Sequence, residues 1–353
     1  MRRESREFLV RLLDVPAPTG FEMPAQRIWR EAVEPHAGRV EVDVYGNHTA
    51  VLDGTDEISV MVAGHADEVG LIIRRIDPSG MLRFGRIGGL DTAVLPGTRV
   101  RVLVGGKEIP GVIGRPAIHL IKPEDRRKAV KPEDLCIDIG ARDGKAAGRL
   151  VSVGDPVIFG EDFQDLAGGF ASHRAFDNRM GCFVVAEMVR LLSRRRHRAT
   201  VYAVSTVQEE TGVWGAGLVA ERYRPSLGIA VDVTHDTTTP GIPSASHADT
   251  ACGKGPVLCR GVRSSRVVTG LLEKTARAAK IPFQIEVDEG ATGTDADAMS
   301  WRGTGVPVNT VSVACRYMHT PAEVIHLDDL SRTASLLAKF VSGLSDRTDL
   351  VPR

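Results

Sequence analysis

Ile58-Ser59-Val60-Met61-Val62-Ala63-Gly64-His65-Ala66-Asp67-Glu68-Val69-Gly70 is an apolar run that stops in a histidine and two acids. An apolar run of this length reads as a strand buried on both faces, the habit of parallel sheets. Similar runs lie at Thr200–Val207, Leu227–Val231, Phe283–Val287 and Val308–Val313. Between them fall helical periods. Asn178–Arg195 is apolar at Met180, Phe183, Val184, Met188, Leu191 and Leu192. Ser264–Ala279 is apolar at Val267, Val268, Leu271 and Leu272, and Asp328–Leu344 at Leu330, Leu336, Leu337, Phe340 and Val341. Strands alternating with helices imply an α/β fold, a central, mostly parallel sheet flanked by helices on both faces.

Upstream, Arg6–Leu13 reads as a helix stopped by Pro16 and Pro18, followed by short strands at Arg39–Val44 and Thr49–Leu52. From Val69 to Gly160 the texture changes. Short β-branched runs (Leu71–Ile76, Arg99–Val104, Val151–Phe159) are separated by turns such as Asp77-Pro78-Ser79-Gly80. That block predicts a small β-barrel or sandwich inserted into the α/β unit. The expected division is a catalytic α/β domain over 1–66 and 161–349 and an inserted β-rich domain over 67–160. Residues 350–353, Leu350-Val351-Pro352-Arg353, read as the remnant of a protease-cleavable tag. The length of 353 residues agrees with two domains at roughly 100–200 residues each.

Lys plus Arg (45) equals Asp plus Glu (45), so no net field favours nucleic acid or anionic lipid as a partner. The one dense basic run, Arg194-Arg195-Arg196-His197-Arg198, falls at a predicted helix C-terminus, where basic residues complement the dipole. Five cysteines without a C-x-x-C pair argue against a disulfide framework and a thiolate zinc site. The charged N-terminus leads into no long apolar run, so neither a signal peptide nor a membrane span is expected, and the cytoplasm is the default location.

The chemistry gathers where strands end. Gly64-His65-Ala66-Asp67-Glu68 follows the first run, and Gln208-Glu209-Glu210 the second. Asp232 follows the third, Tyr317-Met318-His319 the last, and Asp177 stands before a helix. Open α/β sheets bind ligands at the carboxyl ends of their strands. Two imidazoles and three carboxylates suit Zn, Co or Mn, and ligands spread this widely make sense as a two-ion site with Asp177 bridging. Such ions lower the pKa of water toward ~7. Of the Glu209–Glu210 pair, one carboxylate can bind metal while the other moves the proton of a bridging water to the leaving amine. Asp67 is placed to accept the His65 ring N–H and fix its tautomer. Each residue also has a bland reading: a satisfied histidine in a Gly-rich turn, a solvated Glu-Glu pair, an acid favoured by a helix dipole, a turn aspartate. Their coincidence at strand ends favours the metal site. The H-E-x-x-H, G-x-S-x-G and Walker patterns are absent.

At these residues a resemblance enters. Gly64-His65-Ala66-Asp67-Glu68-Val69-Gly70, Phe176-Asp177-Asn178-Arg179-x-Gly181, Gln208-Glu209-Glu210-x-Gly212-x-x-Gly215-Ala216 and Tyr317-x-His319-Thr320-Pro321-x-Glu323 resemble, in order, the motifs of the tetrahedral (TET) dinuclear metallo-aminopeptidases. That group includes glutamyl and deblocking aminopeptidases, and members have been labelled endoglucanases. The resemblance runs from about Gly46 to Leu330. It implies a metal-dependent aminopeptidase acting on short peptides, with two divalent ions, Zn or Co. One ion would sit on His65 and Asp232, the other on Glu210 and His319, with Asp177 shared. Glu209 would be the base, with Asp67 beside it in the catalytic set, and Thr294 and Asp295 of Gly293-Thr294-Asp295-Ala296 would line the substrate pocket. It also implies that the β block mediates dimer contacts and that six dimers form a homo-oligomer of twelve subunits. Asp297 departs from the pattern, as either a pocket acid favouring basic side chains or an exposed loop acid. Arg174 reads as a surface arginine or an anion-binding group near Asp177; His119 and His235 have no assigned role. The competing functions are a deacylase or carboxypeptidase on the same site, a glycosidase, which needs two carboxylates and no metal, and a non-catalytic scaffold, against which the complete ligand set argues.

Overall fold

The structure, a computed structural model, describes residues 1–160, 162–243 and 247–353. The helices are α1 (Arg3–Asp14), α2 (Met23–Val33), α3 (Gly144–Ala147), α4 (Phe176–Leu192), α5 (Trp214–Tyr223), α6 (Arg266–Ala279), α7 (Asp295–Ser300) and α8 (Leu327–Ser342). The strands are β1 (Arg39–Val42), β2 (His48–Leu52), β3 (Ser59–His65), β4 (Gly70–Ile76), β5 (Leu82–Ile87), β6 (Arg99–Val104), β7 (Lys107–Gly114), β8 (Cys136–Asp138) and β9 (Pro156–Phe159). They continue as β10 (Gln164–Asp165), β11 (Phe170–His173), β12 (Thr200–Thr206), β13 (Leu227–His235), β14 (Val257–Cys259), β15 (Gln284–Glu286), β16 (Val308–Cys315) and β17 (Glu323–His326).

Strand β3 is buried along its whole length, as its apolar run requires. It lies inside an eight-stranded sheet of order β1-β2-β12-β3-β13-β16-β14-β15. The central four strands are parallel, so their carboxyl ends share one edge. Antiparallel pairing enters on the flanks, at β1–β2, β2–β12 and β14–β16. Helix α4 buries Met180, Phe183, Val184, Met188 and Leu192 in the same core as Leu330, Leu336, Leu337 and Phe340 of α8. Gly64 and Gly181 let α4 approach β3: a Cβ on Gly64 would lie 2.6 Å from the Gly181 carbonyl carbon. That approach brings the start of α4 to the end of β3.

Between β3 and α4 the chain closes an antiparallel barrel, β4-β5-β8-β7-β6-β9. Its interior holds Leu71, Ile73, Leu82, Val100, Val102, Ile113, Ile137 and Val157. The strand expected over Val151–Phe159 shortens to β9, because Ser152 and Asp155 form a turn in which the Asp155 carboxylate accepts the Ser152 N–H at 2.7 Å. The expected domain junction at residue 161 lies outside the described residues. A small antiparallel sheet, β10-β11-β17, lies beside the start of α4.

Four helices escape the sequence reading, one of them, α3, a single four-residue turn. Helix α2 begins with proline in its first turn, a position that needs no N–H; it buries Trp29, whose indole N–H donates to the Cys182 carbonyl at 2.9 Å. Helices α5 and α7 are short, Gly- or Asp-rich segments without a long apolar period. Among the described residues no helix is long and apolar enough to cross a membrane.

Candidate metal centre

Parallel register sets the first side chains. His65, the last residue of β3, is aligned with Thr206 at the end of β12. Three residues on, Glu209 and Glu210 hang from a turn that Asp67 holds. The Asp67 carboxylate accepts the backbone N–H of Glu209 (3.1 Å) and Glu210 (3.2 Å) and the Thr19 hydroxyl (2.9 Å). The same residue faces His65 Nδ1, with Oδ1 at 3.3 Å and its carbonyl at 3.2 Å. Nδ1–H donation there leaves Nε2 turned toward the cavity.

Asp177 is the centre of the arrangement. It precedes the regular part of α4, since its ψ of 108° is non-helical. Its Oδ1 lies 3.2 Å from His65 Nε2 and its Oδ2 3.2 Å from His319 Nε2. His319 Nε2 is also 3.4 Å from Glu210 Oε2. His65 Nε2 is 3.8 Å from Glu209 Oε2 and 4.0 Å from Asp232 Oδ1. Asp232 was expected in the turn after its strand. It instead stands within β13, which continues to His235 beside β16. All five expected ligands, with Glu209, line one cavity of about 520 Å³.

The spacing fits a metal site. Donors 2.0–2.2 Å from a tetrahedral ion stand roughly 3.3 Å from one another, whereas N–H···O bonds cluster near ~2.9 Å. Two sets of three donors meet within 4.8 Å: His65, Glu209 and Asp232, and His65, Asp177 and Glu210. Glu210 Oε1 is buried without a hydrogen-bond partner in the described structure.

The electrostatics point the same way. Burial, then Asp232, Asp295 and Glu210, push Glu209 up to about 10, although His65 opposes them. Burial and Asp177 push Glu210 up to about 8, and burial and Asp177 raise Asp232 well above the carboxylate range. Burial would raise Asp177 too, but hydrogen bonds from His319 and His65 outweigh it and hold it low. Burial lowers His319, yet the Asp177 hydrogen bond and the charge of Glu210 carry it to about 10. This is a buried excess of acid that cations would relieve, with release of protons.

Other side chains hold the ligands in place. Fully buried Glu323 accepts the backbone N–H of Asp177 (2.9 Å) and of His319 (3.0 Å). His319 itself has left-handed backbone, φ 61°. The barrel supplies the Gly89 carbonyl, 2.8 Å from His319 Nδ1. A Cβ on Gly89 would come within 3.1 Å of that nitrogen. Arg179 is buried and donates to the Ala66, Leu12 and Leu13 carbonyls (3.1, 3.2 and 2.7 Å) and to Glu68. Arg174, read as a surface residue, is buried and pairs with Glu68 at 2.9 Å. Glu323 and Arg179 stand in the quoted motifs and Gly89 and Arg174 outside them, and nothing in their spacing distinguishes a backbone clamp from a ligand.

Thr294 faces the cavity and caps α7. Asp295 lies behind it, buried, accepting the Thr206 hydroxyl at 2.5 Å; burial pushes it up to about 6. Asp297 accepts the N–H groups of Thr292 (3.1 Å) and Gly293 (3.0 Å), which ties it to its own loop. His235 lines the cavity, and His119 is exposed on the barrel.

Known proteins resemble this chain over nearly its whole length. The lysyl aminopeptidase of Pyrococcus furiosus is 29% identical over 341 residues, covering 96% of this chain and 97% of that one. The crystal structure of a TET aminopeptidase from a marine sediment archaeon of the Thaumarchaeota superimposes with a TM-score of 0.94 at 32% identity, covering 98% of this chain and 99% of that one. The TET1 peptidase of Pyrococcus horikoshii, which can assemble into a tetrahedron or a large octahedral shell, gives a TM-score of 0.86 at 30% identity, with 96% and 100% coverage. The sequence profile of the M42 glutamyl aminopeptidases matches residues 46–336, most of the chain, and the protein belongs to that family.

Proposed function

We propose that this chain is a two-metal aminopeptidase that releases the N-terminal residue of short peptides. The observation that carries the reading is the reach of one carboxylate to two imidazoles: Asp177 lies 3.2 Å from both His65 and His319. His65 and Asp232 would hold one ion and Glu210 and His319 the other, with Asp177 shared. When bound, zinc or cobalt would polarise the scissile carbonyl and lower the pKa of water toward ~7.

Glu209 is the base in this scheme. It stands 3.8 Å from His65 Nε2, at the rim of the donor set. Its raised pKa comes from burial and from the charges of Asp232, Asp295 and Glu210. Once those charges are offset by bound cations, Glu209 ionises and can take a proton from the attacking water. It then delivers that proton to the leaving amine nitrogen, so the acid and base steps use one carboxylate. Asp67 holds Glu209, Glu210 and His65 in one frame, and Thr294 contributes the substrate wall with Asp295 behind it.

The same reading takes 1–66 and 161–349 as the catalytic unit and 67–160 as a dimerisation unit, with twelve subunits built from dimers. A particle near one subunit's mass would contradict that assembly. The five free cysteines suit the reducing cytoplasm. The test of activity is a matched pair of chromogenic anilides with free and N-acetylated amines, offered to the metal-loaded protein. An aminopeptidase releases the aniline only from the free-amine substrate; release of acetate from the acetylated substrate, with its anilide bond left intact, would make the protein a deacylase-type enzyme instead.

A further inference from the structure

We infer that this enzyme selects substrates whose N-terminal side chain is cationic, lysine or arginine, through Glu286 and Asp288 on the far wall of the catalytic cavity. The inference rests on the aminopeptidase reading and names its substrate class.

Glu286 ends β15, and both it and Asp288 line the same cavity as the metal donors. The Glu286 carboxylate lies over the central strands, accepting the Ser312 hydroxyl (3.0 Å) at Oε1 and the Thr234 hydroxyl (2.5 Å) at Oε2. Thr234 follows Asp232 by two residues on β13, and Ser312 is the cross-strand neighbour of Asp232 on β16. Residues two apart on a strand share a face and stand roughly 6–7 Å apart. The Glu286 carboxylate therefore spans from the level of Asp232 to the next position on the same face, within about one lysine length of the metal end of the cavity.

The wall's charge decides what that side chain can be. Among the described residues no lysine or arginine pairs with Glu286 or Asp288; Asp288 has only the Cys259 thiol on Oδ2, at 3.0 Å. Asp297, the acid singled out in the sequence, also lines this cavity, but its carboxylate accepts N–H groups of its own loop and faces Arg263 at 3.7 Å. Burial and the neighbouring His247 hold His235 below its usual pKa. A leucine side chain here would bury two carboxylates without a cationic partner, and a glutamate would add like charge. A lysine ammonium or arginine guanidinium supplies donors to carboxylate oxygens that already hold hydroxyl or thiol partners but have further lone pairs.

The test is a panel of lysyl, arginyl, leucyl and glutamyl p-nitroanilides with the metal-loaded enzyme, read as kcat/KM. The wild type is expected to favour lysyl and arginyl over leucyl by about tenfold or more, and Glu286→Gln to cut that ratio about 10- to 100-fold, mainly through KM, since charged hydrogen bonds carry that much. Asp288→Asn should cut it in the same direction and serves if Glu286→Gln folds poorly. A wild type that prefers leucyl or glutamyl substrates overturns the inference, as does a ratio unchanged in both variants. Cleavage of N-acetyl-lysyl but not lysyl anilide would instead sink the aminopeptidase reading, and this inference with it.

Discussion

Replacing Glu323 with glutamine tests how the metal centre is held. Glu323 is not among the residues lining the cavity, yet its two oxygens accept the N–H groups of Asp177 (2.9 Å) and His319 (3.0 Å), residues far apart in the chain. In Glu323→Gln the amide oxygen keeps one of these bonds. The amide NH2 then meets the other N–H, leaving a buried donor unpaired at a cost of roughly 1–3 kcal/mol. An opposing effect exists. Burial and the charge of Asp177 push Glu323 well above its usual pKa, so neutralising it relieves repulsion in the metal-free protein. With cations on Asp177 that relief disappears and the lost hydrogen bond stands alone. Urea unfolding of metal-free protein should therefore shift by less than ~2 kcal/mol. Metal affinity, measured by titration against a competing chelator, should fall about 10- to 100-fold, as for other residues that orient ligands. Unchanged metal affinity in a folded Glu323→Gln protein would refute the argument, because it would mean that the two ligand backbones do not depend on this clamp.

Glu209→Gln should keep its metal and lose turnover by roughly 100- to 10,000-fold. Because Glu209 also lies within donor distance in one group with His65 and Asp232, loss of metal from the variant would make it a ligand and overturn its assignment as base. His319→Ala should leave one ion of two by elemental analysis, and unchanged content would overturn that ligand. His173 gives a pH prediction. The Ala175 N–H donates to its Nδ1 at 3.0 Å and Arg174 Nη1 faces its Nε2 at 3.1 Å, so a second proton is unwelcome. Burial, only partly opposed by Asp14, lowers it from 6.5 to about 4. Between those values the unfolded chain binds the extra proton and the folded protein does not, so stability falls as pH drops from 6.5 toward 4, by up to about 3 kcal/mol. Urea midpoints of wild type and His173→Asn at pH 7 and pH 4.5 check this; identical pH slopes refute it.

Much of the fold was legible because buried parallel strands and amphipathic helices leave different periods. The gathering of the candidate ligands was legible because parallel strands end on one edge, so acids and histidines after β3, β12 and β16 come together at one cavity. What stayed hidden has a physical reason in each case. Asp232 looked like a turn residue because a carboxylate closes the apolar run, yet it stands inside β13, which runs on to His235. Arg174 looked like a surface residue because nothing in its neighbours announces Glu68. The partners of Arg179 are main-chain carbonyls, which every residue has. Helix α2 carries proline in its first turn, and its buried face is Ala25, Gln26, Trp29 and Val33, with Gln26 donating to the Ser205 carbonyl and Trp29 to that of Cys182.

The inserted barrel ties these observations together. It leaves the central sheet directly after His65 and Asp67 and returns to it before Asp177, so it is bracketed by parts of the metal centre. It is also in contact with the centre. The turn after β5 places the Gly89 carbonyl on His319 Nδ1, and a Cβ on Gly88 would lie 3.2 Å from Glu210 Oε2. His319 has a left-handed backbone and is partly exposed at the cavity mouth, so it has few neighbours to fix its ring. Donation from Nδ1 to Gly89 settles which nitrogen carries the proton and turns Nε2 toward Asp177 and Glu210. One half of the ligand set therefore depends on the seating of the barrel against the sheet. A change that shifts the barrel would reach the chemistry through His319 before it reached His65, whose tautomer is set by Asp67 within the α/β domain itself.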